Sequence, residues 1–186
     1  NLQTFEFNIL VMKSIWLNNN QILWVIMSIS KIRNSIISNN LLSRGFTELS
    51  DIQNKILDIY ENKKDLLVTS QTGSGKTIAY FLSIQDEISL KKIKENSSPS
   101  VLIIAPTREL AIQVYEEALW VFKGEDINVI TTIGGMDIKK ERKNLLTKFS
   151  LLIGTPGRIN DHLRKNKLTL SNITTVILDE ADEILD

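Results

Sequence analysis

The sequence predicts an α/β fold, a mostly parallel β-sheet flanked by helices on both faces. Three observations predict it. Short apolar runs recur along the chain, with helical patterns between them. The runs are nearly continuous in apolar character, as strands buried on both faces are. The first run leads directly into a glycine-rich loop that opens a helix.

In chain order, Ile32, Ile36, Ile37, Leu41 and Leu42 recur at helical spacing, and Gly45 ends that helix. Leu66-Leu67-Val68 is the first predicted strand, and a helix follows over Thr77 to Leu90. Lys91 to Ser100, with Ser97-Ser98-Pro99, has the composition of an exposed loop. Strands are then predicted at Val101–Ile104, Val129–Ile133, Leu151–Ile153 and Val176–Leu178. Helices alternate with them over Glu109 to Phe122, Asp137 to Leu146 and Arg158 to Leu163. Trp120 and Phe122 are packing residues in this scheme. Lys139 to Lys143 forms a solvated helix face, and His162 is exposed.

The chain has 186 residues, of which 42% are hydrophobic and 24% charged, the composition of one globular domain with an extension. It contains no cysteine, which excludes disulfides, thiolate metal sites and cysteine nucleophiles. A single histidine, His162, argues against a histidine-ligated zinc site. The net charge is zero, so any nucleic-acid partner must be argued from local residues.

Residues 1–34 form an N-terminal extension, either a presequence or a misjudged start, and 35–186 form the domain. Ile9 to Ile29 is apolar but broken by Lys13 and by Asn18-Asn19-Asn20-Gln21, a poor membrane span. No basic segment precedes it, which argues against a secretory signal. No stable membrane association is expected. The expected location is intracellular, in nucleus, nucleolus or cytoplasm, or in an organelle if the extension is a presequence.

Ser70-Gln71-Thr72-Gly73-Ser74-Gly75-Lys76-Thr77 follows the first predicted strand and opens a helix, the setting a phosphate-binding loop needs. Gly73 and Gly75 let backbone N–H groups turn towards anionic oxygens. The helix N-terminus adds partial positive charge. Lys76 can reach the β- and γ-phosphates of a nucleotide, and the Thr77 hydroxyl can hold Mg²⁺. The usual pattern has glycine where this chain has Ser70. Downstream, Val176-Ile177-Leu178 runs into Asp179-Glu180-Ala181-Asp182. A carboxylate at the C-terminal end of a parallel strand sits where such sheets bind ligands. Asp179 can position Mg²⁺, and Glu180 can orient or deprotonate an attacking water.

From about Ile36 to Asp186 the chain resembles the first RecA-like domain of a DEAD-box ATP-dependent RNA helicase, whose family name Asp179-Glu180-Ala181-Asp182 spells. The resemblance implies a RecA-like P-loop NTPase domain, with ATP and Mg²⁺ as cofactors. Gly45-Phe46 and Ile52-Gln53 match the family's adenine-reading segment, with Leu49-Ser50 where the family commonly has Pro-Thr. The resemblance thus assigns adenine contact to Gln53. A glutamine amide donates and accepts together, matching adenine N6 and N7 and not guanine. Phe46 would stack on the base or fill the core.

Pro106-Thr107-Arg108, Gly134-Gly135 and Thr155-Pro156-Gly157-Arg158 each follow a predicted strand and so share one edge of the sheet. The resemblance implies that they hold RNA phosphates and 2′-hydroxyls, independent of base sequence. Thr155 and Pro156 suit a helix cap and first turn.

The sequence stops just after the acidic motif. The resemblance implies a Ser-Ala-Thr segment and a second RecA-like domain beyond it. The chain alone is therefore expected to bind ATP weakly and not to unwind RNA. The full protein would be an RNA-stimulated ATPase that remodels RNA duplexes or RNA–protein complexes. Two other readings stay open: a DNA helicase of the same superfamily, and a truncated, non-catalytic ATP- or RNA-binding module.

Overall fold

The computed structural model describes residues 29–59, 65–71, 73–88, 98–135 and 137–185. Expectations about residues 1–28, Thr72 and residues 89–97 lie outside these. Seven helices and four strands follow one another in the described residues: α1 Ser35–Ser43, α2 Asp51–Ile59, α3 Lys76–Ser83, β1 Val101–Ile104, α4 Arg108–Val121, β2 Val129–Thr132, α5 Ile138–Leu145, β3 Leu151–Gly154, α6 Pro156–Arg164, β4 Thr175–Leu178 and α7 Ala181–Leu185.

The four strands pair in parallel in the order β2-β3-β1-β4. Val101 is in register with Leu151 on one side and Thr175 on the other. Alternate residues feed two apolar layers. Val101, Ile103, Leu151 and Ile153 pack with α1, α3 and α4, including Ile37, Phe81 and Val114. Leu102, Leu152 and Ile130 pack on the opposite face with Leu145 of α5 and Ile159 of α6. Both faces of the sheet are thus covered over β1, β2 and β3, as their continuous apolar runs require. On β4, at the edge, Val176 and Leu178 stay exposed. Among the described residues no helix is long and apolar enough to cross a membrane.

Local chemistry accounts for the helix ends. The Asn34 side chain caps α1 by accepting from Ile36 and Ile37 N–H, and Gly45 beyond its end takes φ +86°. Asn40 Nδ2 donates to the carbonyls of Val121 and Lys123, which ties α1 to the end of α4. Thr107 Oγ1 accepts from Leu110 N–H and caps α4. Pro156 takes the first turn of α6 with Thr155 at the N-cap.

Five sequence expectations need correction. The helix expected from Thr77 to Leu90 ends at Ser83, with Ile84 as its C-cap. Leu66-Leu67-Val68 is not a strand of the sheet; Leu67 is 91% exposed. Leu151–Ile153, an apolar run of the same length, pairs because β1 and β2 flank it, so apolar length alone does not make a strand. Ser98, Pro99 and Ser100, expected in an exposed loop, are buried where the chain enters β1. Ser100 N–H and Oγ both donate to Ser150 O, which fixes that entry. His162 is buried, 1% exposed. The α5 face around Lys139 to Lys143 is not wholly solvated, because Glu141 points inward at 5% exposure.

Candidate nucleotide and nucleic-acid site

All four strands run the same way, so the loops that follow them share one edge. Three backbone bonds set their order: Thr155 N–H donates to Thr132 O, Ala105 N–H to Gly154 O, and Asp179 N–H to Ile104 O. The edge therefore runs from Gly134-Gly135 through Thr155-Pro156-Gly157-Arg158 and Pro106-Thr107-Arg108 to Asp179.

The phosphate loop adjoins the Asp179 end. Gly73 and Gly75 take φ +81° and +87°, the left-handed turn that glycine makes without penalty. A side chain at Gly75 would collide with the Gln53 amide, so that position also admits a close approach. Lys76 Nζ donates to Ser70 O at 2.8 Å and Gln71 O at 3.0 Å, which curls the loop around its own lysine. Ser70 Oγ lies 2.7 Å from Ser74 Oγ and holds the two flanks together.

The start of α2 braces this loop. Ser50 Oγ donates to Ser74 O at 2.9 Å. Gln53 Nε2 donates to Gly75 O at 3.2 Å, and Gln53 Oε1 accepts from Ser50 N–H at 3.0 Å. Ser50 and Gln53 thus form half of a capping box, with Gln53 reaching back to the cap N–H. Gln53 is 2% exposed, and both ends of its amide are engaged. Each end of the amide keeps one further hydrogen-bonding position, the second N–H of Nε2 and the second lone pair of Oε1. Phe46 is half-buried against the core: its ring lies 6.1 Å from that of Trp120, which Arg44 covers at 4.8 Å.

The loop and the acidic motif meet through Tyr80, a residue outside every motif in the sequence. Its hydroxyl donates to Asp179 Oδ2 at 3.1 Å. Burial first, and then the Asp179 charge, push the Tyr80 phenol well above its usual range. Thr77 lies three residues before Tyr80 on α3, so Thr77 and Asp179, two hard oxygen donors, belong to the same end of the sheet edge. That donor set suits Mg²⁺, which takes one or two protein oxygens and completes its shell with water and phosphate. Glu180 follows at φ +49° in the left-handed region, with its N–H on Asp179 Oδ1 at 3.1 Å. Burial and the neighbouring carboxylates of Glu183, Asp179 and Asp182 raise its carboxyl above the ordinary value, and Lys76 partly offsets them.

On the other half of the edge, Arg108 lies against Gly135, where a Cβ would stand 2.5 Å from Arg108 Nη1. Arg108 is exposed. Arg158 differs: its Nε donates to Glu141 Oε2 at 2.8 Å, and its side chain is mostly covered.

A parallel sheet with a phosphate loop and an acidic motif at one edge defines a P-loop nucleotide-binding domain. The family model for the DEAD/DEAH box helicase matches residues 50–186. The chain belongs to that family. It is 40% identical over 142 residues to the DEAD-box ATP-dependent RNA helicase CshA of Geobacillus kaustophilus, covering 76% of this chain and 30% of that protein. It is 41% identical over 142 residues to the ATP-dependent RNA helicase CshA of Listeria monocytogenes, covering 76% and 26%. With the ATP-dependent RNA helicase DBP4 of Debaryomyces hansenii it shares 38% over 147 residues, covering 78% and 19%. The chain thus spans less than a third of the length of these relatives.

Proposed function

We propose that this chain is the ATP-binding domain of an ATP-dependent RNA helicase, with MgATP at the Asp179 end of the sheet edge and RNA backbone along the rest. The observation that carries the reading is the meeting of α3 with the acidic motif through Tyr80 and Asp179. It supports one site in which the loop N–H groups and Lys76 hold phosphates. Lys76 would exchange the carbonyls of Ser70 and Gln71 for phosphate oxygens. Thr77 and Asp179 would hold Mg²⁺, which supplies charge neutralisation on the phosphates when bound. Glu180 would orient the attacking water and take its proton.

Arg108, the Gly134-Gly135 turn and the first N–H groups of α6 would hold RNA phosphates. The resemblance assigns a charge-stabilising arginine to the second RecA-like domain, and such a group is worth roughly 10³–10⁵ in phosphoryl-transfer rate. The chain assayed alone would therefore bind ATP weakly, hydrolyse it slowly and leave duplexes intact. In the full protein, RNA would stimulate hydrolysis. Anisotropy titration of labelled single-stranded RNA and matched DNA against the chain tests the nucleic-acid half. The reading predicts RNA preferred whatever its base sequence. Equal affinity for DNA contradicts it.

A further inference from the structure

The loops past β2 and β3 converge on one buried carboxylate that the nucleotide site does not use. Glu141 Oε1 accepts from the Ile133 backbone N–H at 3.2 Å. Its Oε2 accepts from Arg158 Nε at 2.8 Å and lies 2.9 Å from His162 Nε2. Donors from the end of β2 and from two turns of α6 thus meet on a single side chain of α5. An ionised carboxylate only accepts, which puts a ring proton of His162 on Nε2, across the ring from Nδ1. That Nδ1 is buried and has no partner among the described residues. The only hydrogen bond of this enclosed ring among them goes to Glu141, so the ring serves to hold the carboxylate.

The geometry points to Glu141, backed by His162, as the positioning residue that fixes the Gly134-Gly135 turn and the Thr155–Arg158 helix start as one RNA-backbone surface. This deepens the RNA-binding reading above and rests on it. Ile133 immediately precedes Gly134, and Arg158 immediately follows Gly157, so a change at Glu141 reaches both loops together. Arg158 then acts on RNA through Glu141. Direct charge on phosphate falls to the exposed Arg108.

Two variants separate the parts. Glu141→Gln keeps the shape and removes the charge. His162→Phe removes one donor and leaves the carboxylate; it carries the same measurements if Glu141→Gln does not fold. Amide hydrogen exchange by NMR on the full chain is the first readout. Both variants should speed exchange together at the two protected amides, Ile133 N–H on Glu141 and Ile159 N–H on Thr155 O, by about fivefold, the effect of removing one hydrogen bond. Faster exchange at only one of the two loops, or at neither, overturns the coupling.

The second readout is the affinity of labelled oligouridine as KCl is raised. The slope of log K against log salt falls by about 0.7 for each phosphate of a single strand that the protein no longer neutralises. Glu141→Gln and Arg158→Gln should each weaken binding by about fivefold with the slope unchanged. A shallower slope in Arg158→Gln makes Arg158 a phosphate ligand and overturns its positioning role. Failure of the unaltered chain to bind oligouridine contradicts the RNA reading, while the exchange result still decides the coupling.

Discussion

The Tyr80 hydroxyl donates to Asp179 Oδ2 at 3.1 Å and joins the helix behind the phosphate loop to an acidic motif 99 residues further along the chain. Burial keeps the phenol protonated, so it is a standing donor. With Glu180 N–H on the other carboxylate oxygen, Asp179 is held at both ends.

Tyr80→Phe removes only that donor, because the ring keeps its edge contact with Phe81 at 5.0 Å. Stability should fall by about 1 kcal/mol, the net worth of one hydrogen bond. Nucleotide affinity should fall more with Mg²⁺ than in its absence. Calorimetry with MgADP and with ADP plus chelator checks this. Equal losses under both conditions would mean that Tyr80 does not orient Asp179.

Glu117 gives the pH dependence. Burial raises its carboxyl above the ordinary value of 4.5; the Gln113 amide partly opposes the rise, and the Asp179 charge adds to it. The folded chain therefore holds that proton more tightly than the unfolded chain. The stabilisation is complete below about pH 4.5 and is lost as pH rises through the folded value. Glu117→Gln should raise the melting temperature at pH 7, and the difference should vanish towards pH 4. Thermal scans across this range check the sign.

Thr107 is a candidate RNA ligand, and it also caps α4 through Leu110 N–H at 3.2 Å. Thr107→Ala should cost about 0.5–2 kcal/mol in urea unfolding, and Thr107→Ser should restore most of it. RNA affinity measured on Thr107→Ser then reports the contact without the cap.

Phe81 joins α3 to α4. It is fully buried, with Phe122 edge-on at 5.2 Å. Phe81→Ala should cost about 3–5 kcal/mol. Because α3 carries Lys76 and Thr77, nucleotide affinity should fall with it. An unchanged unfolding midpoint would contradict the packing described.

The sheet was legible because β1, β2 and β3 are covered on both faces and so are apolar almost throughout, and β4 keeps the same composition at the edge. Leu66-Leu67-Val68 resembles them but is not paired in the sheet; a run reports apolarity, and pairing depends on what lies alongside. The phosphate loop was legible from its spacing. Gln53 was recognisable, but its bond to Gly75 O joins residues 22 apart and leaves no local trace. Glu141 and His162 are polar by type, and type alone places them outside. Ile138, Glu141 and Leu145 share one helical stripe, as do Ile159, His162 and Leu163, and that spacing was the available sign that both face inward.

The most direct test is calorimetric titration of the full chain with MgATP, MgADP and MgGDP, beside Lys76→Ala and Gln53→Ala. The account predicts adenine-nucleotide binding that Lys76→Ala abolishes and Gln53→Ala weakens, with MgGDP bound less well. Binding blind to the base and unaffected by Lys76→Ala would contradict it.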